Sequence, residues 1–152
     1  MYRAPATAGI FAAVALSLAA CSGQSDSNPS SSPDPNVVTS NNAQLVLSKG
    51  GDAYVYGTLR NNSSDEVKIV GGTAESASKV TPEQVVTVDG KKTVELPPGG
   101  IPVPAQGELT LEPTNYRIAI AGLSPTPPKG GTINVNLALS NGSLSRIATT
   151  VQ

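Results

Sequence analysis

The 152-residue chain has no histidine and no tryptophan, one cysteine, one methionine, and only 3% aromatic residues. Without imidazole there can be no Ser-His-Asp triad, no Cys-His nucleophile pair and no histidine metal ligand. A single cysteine excludes an intrachain disulfide. Ten basic residues against eleven acidic ones give a net charge of −1, so no positive field is available to hold nucleic acid or gather anionic lipid. The length suits one domain plus appendages.

What is present begins at the N-terminus. Arg3 precedes the run Ala8 to Ala20 (AGIFAAVALSLAA), apolar except for Ser17. Thirteen residues cannot span a hydrocarbon core, which needs about 20, but they suit the apolar region of a signal peptide. The run ends Leu18-Ala19-Ala20-Cys21, which resembles the bacterial lipoprotein signal, or lipobox. The resemblance implies a signal peptide over residues 1–20, cleavage before Cys21, and palmitate-type acylation of the Cys21 sulfur. One acyl chain holds a membrane weakly, at about 0.8 kcal/mol per buried CH₂, whereas two or three hold firmly. The expected partner of Cys21 is therefore the cell membrane, on its extracytoplasmic face.

Residues 22–36 (SGQSDSNPSSSPDPN) carry six Ser, three Pro and no aliphatic or aromatic side chain. Nothing there buries area to offset the entropy of ordering, so residues 21–36 are expected to be a disordered tether, reaching about 20 Å. Removal of the signal leaves Tyr54, Tyr56 and Tyr116 as the only aromatics and a net charge of −2. A module of about 115 residues (37–152) must then have an aliphatic core, and at that size it buries about two-thirds of its unfolded surface without disulfides.

Short alternating runs dominate this module. In Ala53 to Leu59, Tyr54, Tyr56 and Thr58 fall on one face and Val55 and Leu59 on the other. Similar runs are Ala43–Leu47, Val67–Gly71, Gln84–Val88, Thr93–Leu96, Glu108–Leu111, Tyr116–Ala121, Thr132–Leu139 and Ser143–Val151. Asp89-Gly90 and Asn141-Gly142 are hairpin signals, and Asn61-Asn62-Ser63-Ser64-Asp65 is a turn by composition. Pro97-Pro98, Pro102, Pro104 and Pro127-Pro128 belong to edges or loops, because proline cannot donate to a ladder. The one helix candidate, Thr73–Val80, is short and Ser-rich. The expected fold is all-β: a Greek-key β-sandwich, immunoglobulin-like.

The order of these pieces resembles the PCuAC family of periplasmic copper chaperones, whose members have a cupredoxin-like sandwich. The resemblance runs through the Tyr-rich strand ending Leu59-Arg60-Asn61 and then Ile101-Pro102-Val103-Pro104-Ala105-Gln106-Gly107. It continues through Leu111-Glu112-Pro113 to Gly122-Leu123, and through Pro128-Lys129-Gly130-Gly131-Thr132. The family's copper site uses two His and two Met, and its His-x-Met pair falls here on Arg117 and Ala119. The other His falls around Thr81-Pro82-Glu83 and the other Met around Lys92–Glu95. Cu(I) is soft and selects thioether, thiolate and imidazole, and residues 37–152 contain none of these, so no metal site and no cofactor are expected. Arg117 is expected either to fill the lost site by pairing with Glu83 or Glu95, or to stand exposed near a strand edge.

Other chemistry is thin. Ser76-Ala77-Ser78-Lys79 matches the Ser-x-x-Lys of penicillin-binding enzymes, but that chemistry needs a helix N-terminus inside a larger α/β domain. Glu83, Asp89, Glu95, Glu108 and Glu112 could pair for glycoside chemistry, yet there are too few aromatics to stack sugars. Asp65-Glu66 lacks the spacing of a calcium loop. The expectation is a non-enzymatic, membrane-anchored envelope lipoprotein, a binding or accessory module with an unidentified envelope protein partner. Copper handling through a non-family site, or carriage of a lipid or small apolar ligand, are the alternatives. A docking patch is expected around Ile101–Val103 or Leu123–Pro128.

Overall fold

The computed structural model describes residues 37–152. The signal peptide, the lipobox with Cys21, and the Ser/Pro-rich segment lie outside the described residues. Ten strands follow one another: β1 (Val38–Leu47), β2 (Ala53–Asn61), β3 (Val67–Ala74), β4 (Lys79–Val88), β5 (Lys91–Glu95), β6 (Ile101–Val103), β7 (Glu108–Leu111), β8 (Tyr116–Ala121), β9 (Thr132–Leu139) and β10 (Leu144–Val151). The fold is the expected all-β sandwich. The period-two alternation decides which way each strand faces: Val55, Leu59, Ile118 and Ile120 are fully buried, while Tyr54, Tyr56, Arg117 and Ala119 face outward.

The strands run in the order β5-β4-β8-β2-β1-β10-β9-β3-β6. All these neighbours are antiparallel except β1 and β10, which pair in parallel at Gln44↔Thr150 and Leu45↔Val151. One further pairing, Gly72↔Val80, joins β3 to β4 and closes the path into a ring. That closure needs glycine, because a Cβ at position 72 would collide with the Asn136 carbonyl. β8 takes Ala53–Val55 of β2, and β7 takes Gly57–Arg60 along the same strand. Gly57, at φ +129°, faces the bulge that shifts β1 between Asn41 and Gln44; a Cβ there would lie 2.7 Å from the Asn42 carbonyl oxygen.

Both dipeptide turns are hairpins. Asp89 and Gly90, at φ 50° and 75°, join β4 to β5 with Val88 opposite Lys91, the two-residue turn whose twist suits paired strands. At the β9–β10 turn, Gly142 donates to the Leu139 carbonyl at 2.9 Å, and the Asn141 side chain accepts from Ser143 N and Oγ at 3.0 and 2.7 Å.

Thr73–Val80, too short and Ser-rich to read as a helix, is not one: β3 continues to Ala74, a turn follows, and Lys79 opens β4. Other sequence expectations are corrected. Ile101–Val103 forms a strand, β6, despite Pro102; it pairs with β3 as the last strand of the path, where a missing donor is tolerated. β4 begins before Gln84 and runs through Pro82, which lies where β5 no longer covers that edge. Ile101, Val103 and Leu123 are buried core residues, so no apolar patch exists at those positions. Among the described residues, the exposed large apolar side chains are instead Val46, Val70, Val88, Val94 and Leu96.

Asn61 ends β2 in phase with Val55 and Leu59 and is wholly buried. Its Nδ2 donates to the carbonyls of Asp65 and Val103 at 2.7 and 3.2 Å, and its Oδ1 accepts from Ser63 N and Oγ at 2.9 and 2.7 Å. One amide thus folds the β2–β3 turn and ties it to β6. Replacing a buried, fully bonded amide leaves its partners without bonds, at about 1–3 kcal/mol. Asn61→Ala is expected to lower stability by about 2–3 kcal/mol, seen as a lower urea midpoint with an unchanged slope.

Candidate functional site

The outer face of β2, β8, β4 and β5 gathers the positions that the sequence had marked. Because Ile118 and Ile120 point into the core, Arg117 and Ala119 must point out. The β4–β8 register sets Glu83 opposite Arg117 and Thr81 opposite Ala119, and the β2–β8 register sets Tyr54 opposite Ala119. Within Lys92–Glu95, Val94 opposes Val85 and so shares this face, as does Lys92 by alternation. Thr81, Glu83, Arg117, Ala119, Tyr54 and Val94 therefore share one outer face.

Their chemistry is that of an ion pair. Arg117 Nε donates to Glu83 Oε2 at 2.8 Å, with the two side chains only 16% and 20% exposed. The guanidinium carbon stands 4.1 Å from the centroid of the Tyr54 ring, over its face. Tyr54 in turn stacks on Tyr56, with centroids 6.4 Å apart and planes inclined by 29°. The stack supplies a cation–π contact, and the carboxylate is engaged through Nε rather than by a two-pronged fork. Burial works against the charge on Arg117, but the hydrogen bond and charge of Glu83, with smaller contributions from Tyr54 and Tyr56, outweigh it. The pKa of Arg117 is raised above the ordinary guanidinium value, so its charge is fixed throughout the physiological range.

Of the two partners expected for Arg117, Glu83 is the one it takes. Glu95 pairs across from Gln84 on the alternate face of the β4–β5 hairpin and is exposed. Glu108 makes a looser contact with Arg60 at 3.4 Å, both side chains being about half exposed (58% and 49%). The Ser-x-x-Lys segment lies in the β3–β4 turn: Ser76 sits at φ 61°, its carbonyl accepts from Ser124 N at 2.8 Å, and Lys79 is exposed. No helix starts there. Among the described residues, no group of three or more His, Cys, Asp and Glu is placed to hold a metal ion.

The sequence reading missed Tyr54 as the platform under Arg117. The signal is present in the sequence: alternation sets Tyr54 on the face opposite Val55, and only the β2–β8 register is needed to bring it under Arg117.

Residues 36–151 match the family described as "Putative lipoprotein LpqE-like". A relative from Leifsonia xyli subsp. xyli (strain CTCB07), named "Putative lipoprotein Lxx21020", is 30% identical over 110 residues; the match takes in 72% of this chain and 66% of that protein, just under two thirds of its length. Among solved structures, the apo PCuAC domain from PmoF1 is similar with a TM-score of 0.60 at 15% identity, covering 78% of this chain and 96% of that one. The Cu(I) form of DR1885 from Deinococcus radiodurans gives 0.56 at 23% identity, covering 82% and 83%. The copper-bound PCuAC domain from PmoF2 gives 0.55 at 15% identity, covering 76% and 90%. At these identities the likeness to the solved domains is one of fold. With its β module matched almost from end to end, the chain belongs to the LpqE-like lipoprotein family and has the fold of PCuAC copper-chaperone domains.

Proposed function

We propose that the protein is an envelope lipoprotein, anchored to the outer face of the cell membrane through Cys21, whose PCuAC-like sandwich is a non-catalytic binding or accessory module. In this reading it does not carry copper at the place where the resembling chaperones do. The observation that supports this most is the Arg117–Glu83 pair on Tyr54: a fixed cation and its counter-charge fill the positions that two soft donors would need. A guanidinium repels a metal cation and offers no lone pair to it. Membership of a lipoprotein family supports the anchor, as does the single cysteine at the end of a lipobox.

Carriage of an apolar ligand has less support. The strands enclose one aliphatic cluster that reaches from Val38 to Val151. A cleft beside the β3–β4 closure, lined by residues such as Gly72, Ala77 and Val80, measures about 50 Å³. Small-molecule sites usually need about 300–1,000 Å³.

Titration of the purified protein with Cu(I) and Cu(II), against a competing chelator, decides between the accessory reading and copper handling. Affinity weaker than micromolar is expected for both ions; submicromolar binding of either overturns the reading. The anchor has its own test. Cys21→Ser is expected to release the protein from the membrane fraction and to abolish incorporation of labelled palmitate, whereas a variant that stays bound and labelled contradicts it. The ion pair is tested by a double-mutant cycle on Arg117→Ala and Glu83→Ala. Each change is expected to cost about 1–3 kcal/mol, with a coupling of about 1–2 kcal/mol; additive losses would mean that the two side chains do not interact.

A further inference from the structure

β5 is the end strand of the sheet path, and all five of its residues are exposed. Its partner β4 is half-buried or exposed from Gln84 onward, so the β4–β5 hairpin stands clear of the barrel. Around it lie three of the five exposed large apolar side chains of the described residues, Val88, Val94 and Leu96. An uncapped edge of this kind is open to pairing by another strand, and natural proteins usually guard such edges with charge. The charges here do more than guard.

The hairpin fixes which backbone groups are free. Val88 and Lys91 close a two-residue turn, so they form a hydrogen-bonded pair and the pairs alternate from there. Lys91, Thr93 and Glu95 therefore spend their N–H and C=O groups on β4, while those of Lys92 and Val94 point outward. A second strand can use only these two residues.

We propose that β5 pairs with β5 of a second copy of this chain, antiparallel, about a two-fold axis at Thr93. In that register Lys92 exchanges two hydrogen bonds with the partner copy's Val94, and the symmetric pair does the same. Thr93 faces Thr93 of the second copy, and Lys91 faces its Glu95 twice over. The strand Lys91-Lys92-Thr93-Val94-Glu95 is thus charge-complementary to itself when reversed. Threonine pairs and opposite charges on facing positions both favour antiparallel pairing. The other two registers open to the same backbone groups are poorer. Centring on Lys92 sets Lys92 against Lys92, and centring on Val94 sets Lys92 against Leu96 and leaves both ion pairs unmade. The lysines therefore select one register rather than forbidding all. Such a two-fold contact uses the same patch on both copies.

Disulfide trapping in membranes, with the full-length chain, tests this. Thr93→Cys brings two thiols onto facing positions, whereas Lys91→Cys places them about 13 Å apart along the strands and Lys129→Cys lies elsewhere; the unaltered chain, with Cys21 alone, gives the background. Thr93→Cys is expected to give at least about tenfold more reducible dimer than either control. Adding Glu95→Lys to Thr93→Cys should lower the yield about tenfold by facing lysine with lysine. Adding Lys91→Glu as well should restore it, which also shows that the hairpin still folds. Equal trapping at all positions, a Thr93→Cys yield that ignores charge reversal, or capture of a different protein by Thr93→Cys would each overturn the proposal.

Discussion

A guanidinium that loses most of its water must find a counter-charge, and on the outer face of this sandwich that need is met across one strand pair. Glu83 stands directly opposite Arg117, so the β4–β8 register and the ion pair support each other. Tyr54, one strand further on, carries the cation on its ring face and is itself backed by Tyr56. Two of the three tyrosines in the described residues are thus committed to this one arrangement. Nothing in it offers sulfur or imidazole, the donors that a soft cation selects.

The rest of the fold keeps that face in place with plain materials. A core without phenylalanine or tryptophan is built from Val, Leu and Ile of almost every strand. The path closes only because Gly72 lets β3 approach β9 and meet β4. At the opposite end of the barrel, the Asn61 amide ties the β2–β3 turn to β6. The fold is shared with PCuAC domains, and on this outer face it carries an ion pair over a tyrosine ring.

Much of this was legible in residues alone, and the failures have physical causes. Alternation correctly separated the face of Tyr54 and Tyr56 from that of Val55 and Leu59, and Asp89-Gly90 correctly marked a hairpin. That hairpin also carried the answer to whether Arg117 takes Glu83 or Glu95. A two-residue turn at 89–90 forces Glu95 opposite Gln84, onto the face away from Glu83. Asn61 looked like turn composition, yet its phase with Val55 and Leu59 put it inside. β6 was missed because proline argues against strands except at edges, and which segment becomes an edge is a property of the whole sheet. For the same reason Ile101, Val103 and Leu123 looked like candidates for a surface patch until their partners covered them. Contacts between distant segments, such as the parallel pairing of Gln44 with Thr150, leave no local trace.

The central claim is that Arg117 is held, charged and partnered, by Glu83 over Tyr54. The arginine side-chain ¹⁵N–¹H spectrum of the protein tests it most directly. One Nε–H signal, assigned by its disappearance in Arg117→Lys, is expected to stand apart from those of Arg60 and Arg146 and to exchange slowly with water. It should collapse toward them in Glu83→Gln. An Arg117 signal that already coincides with the exposed arginines and does not respond to the loss of the Glu83 charge would contradict the account.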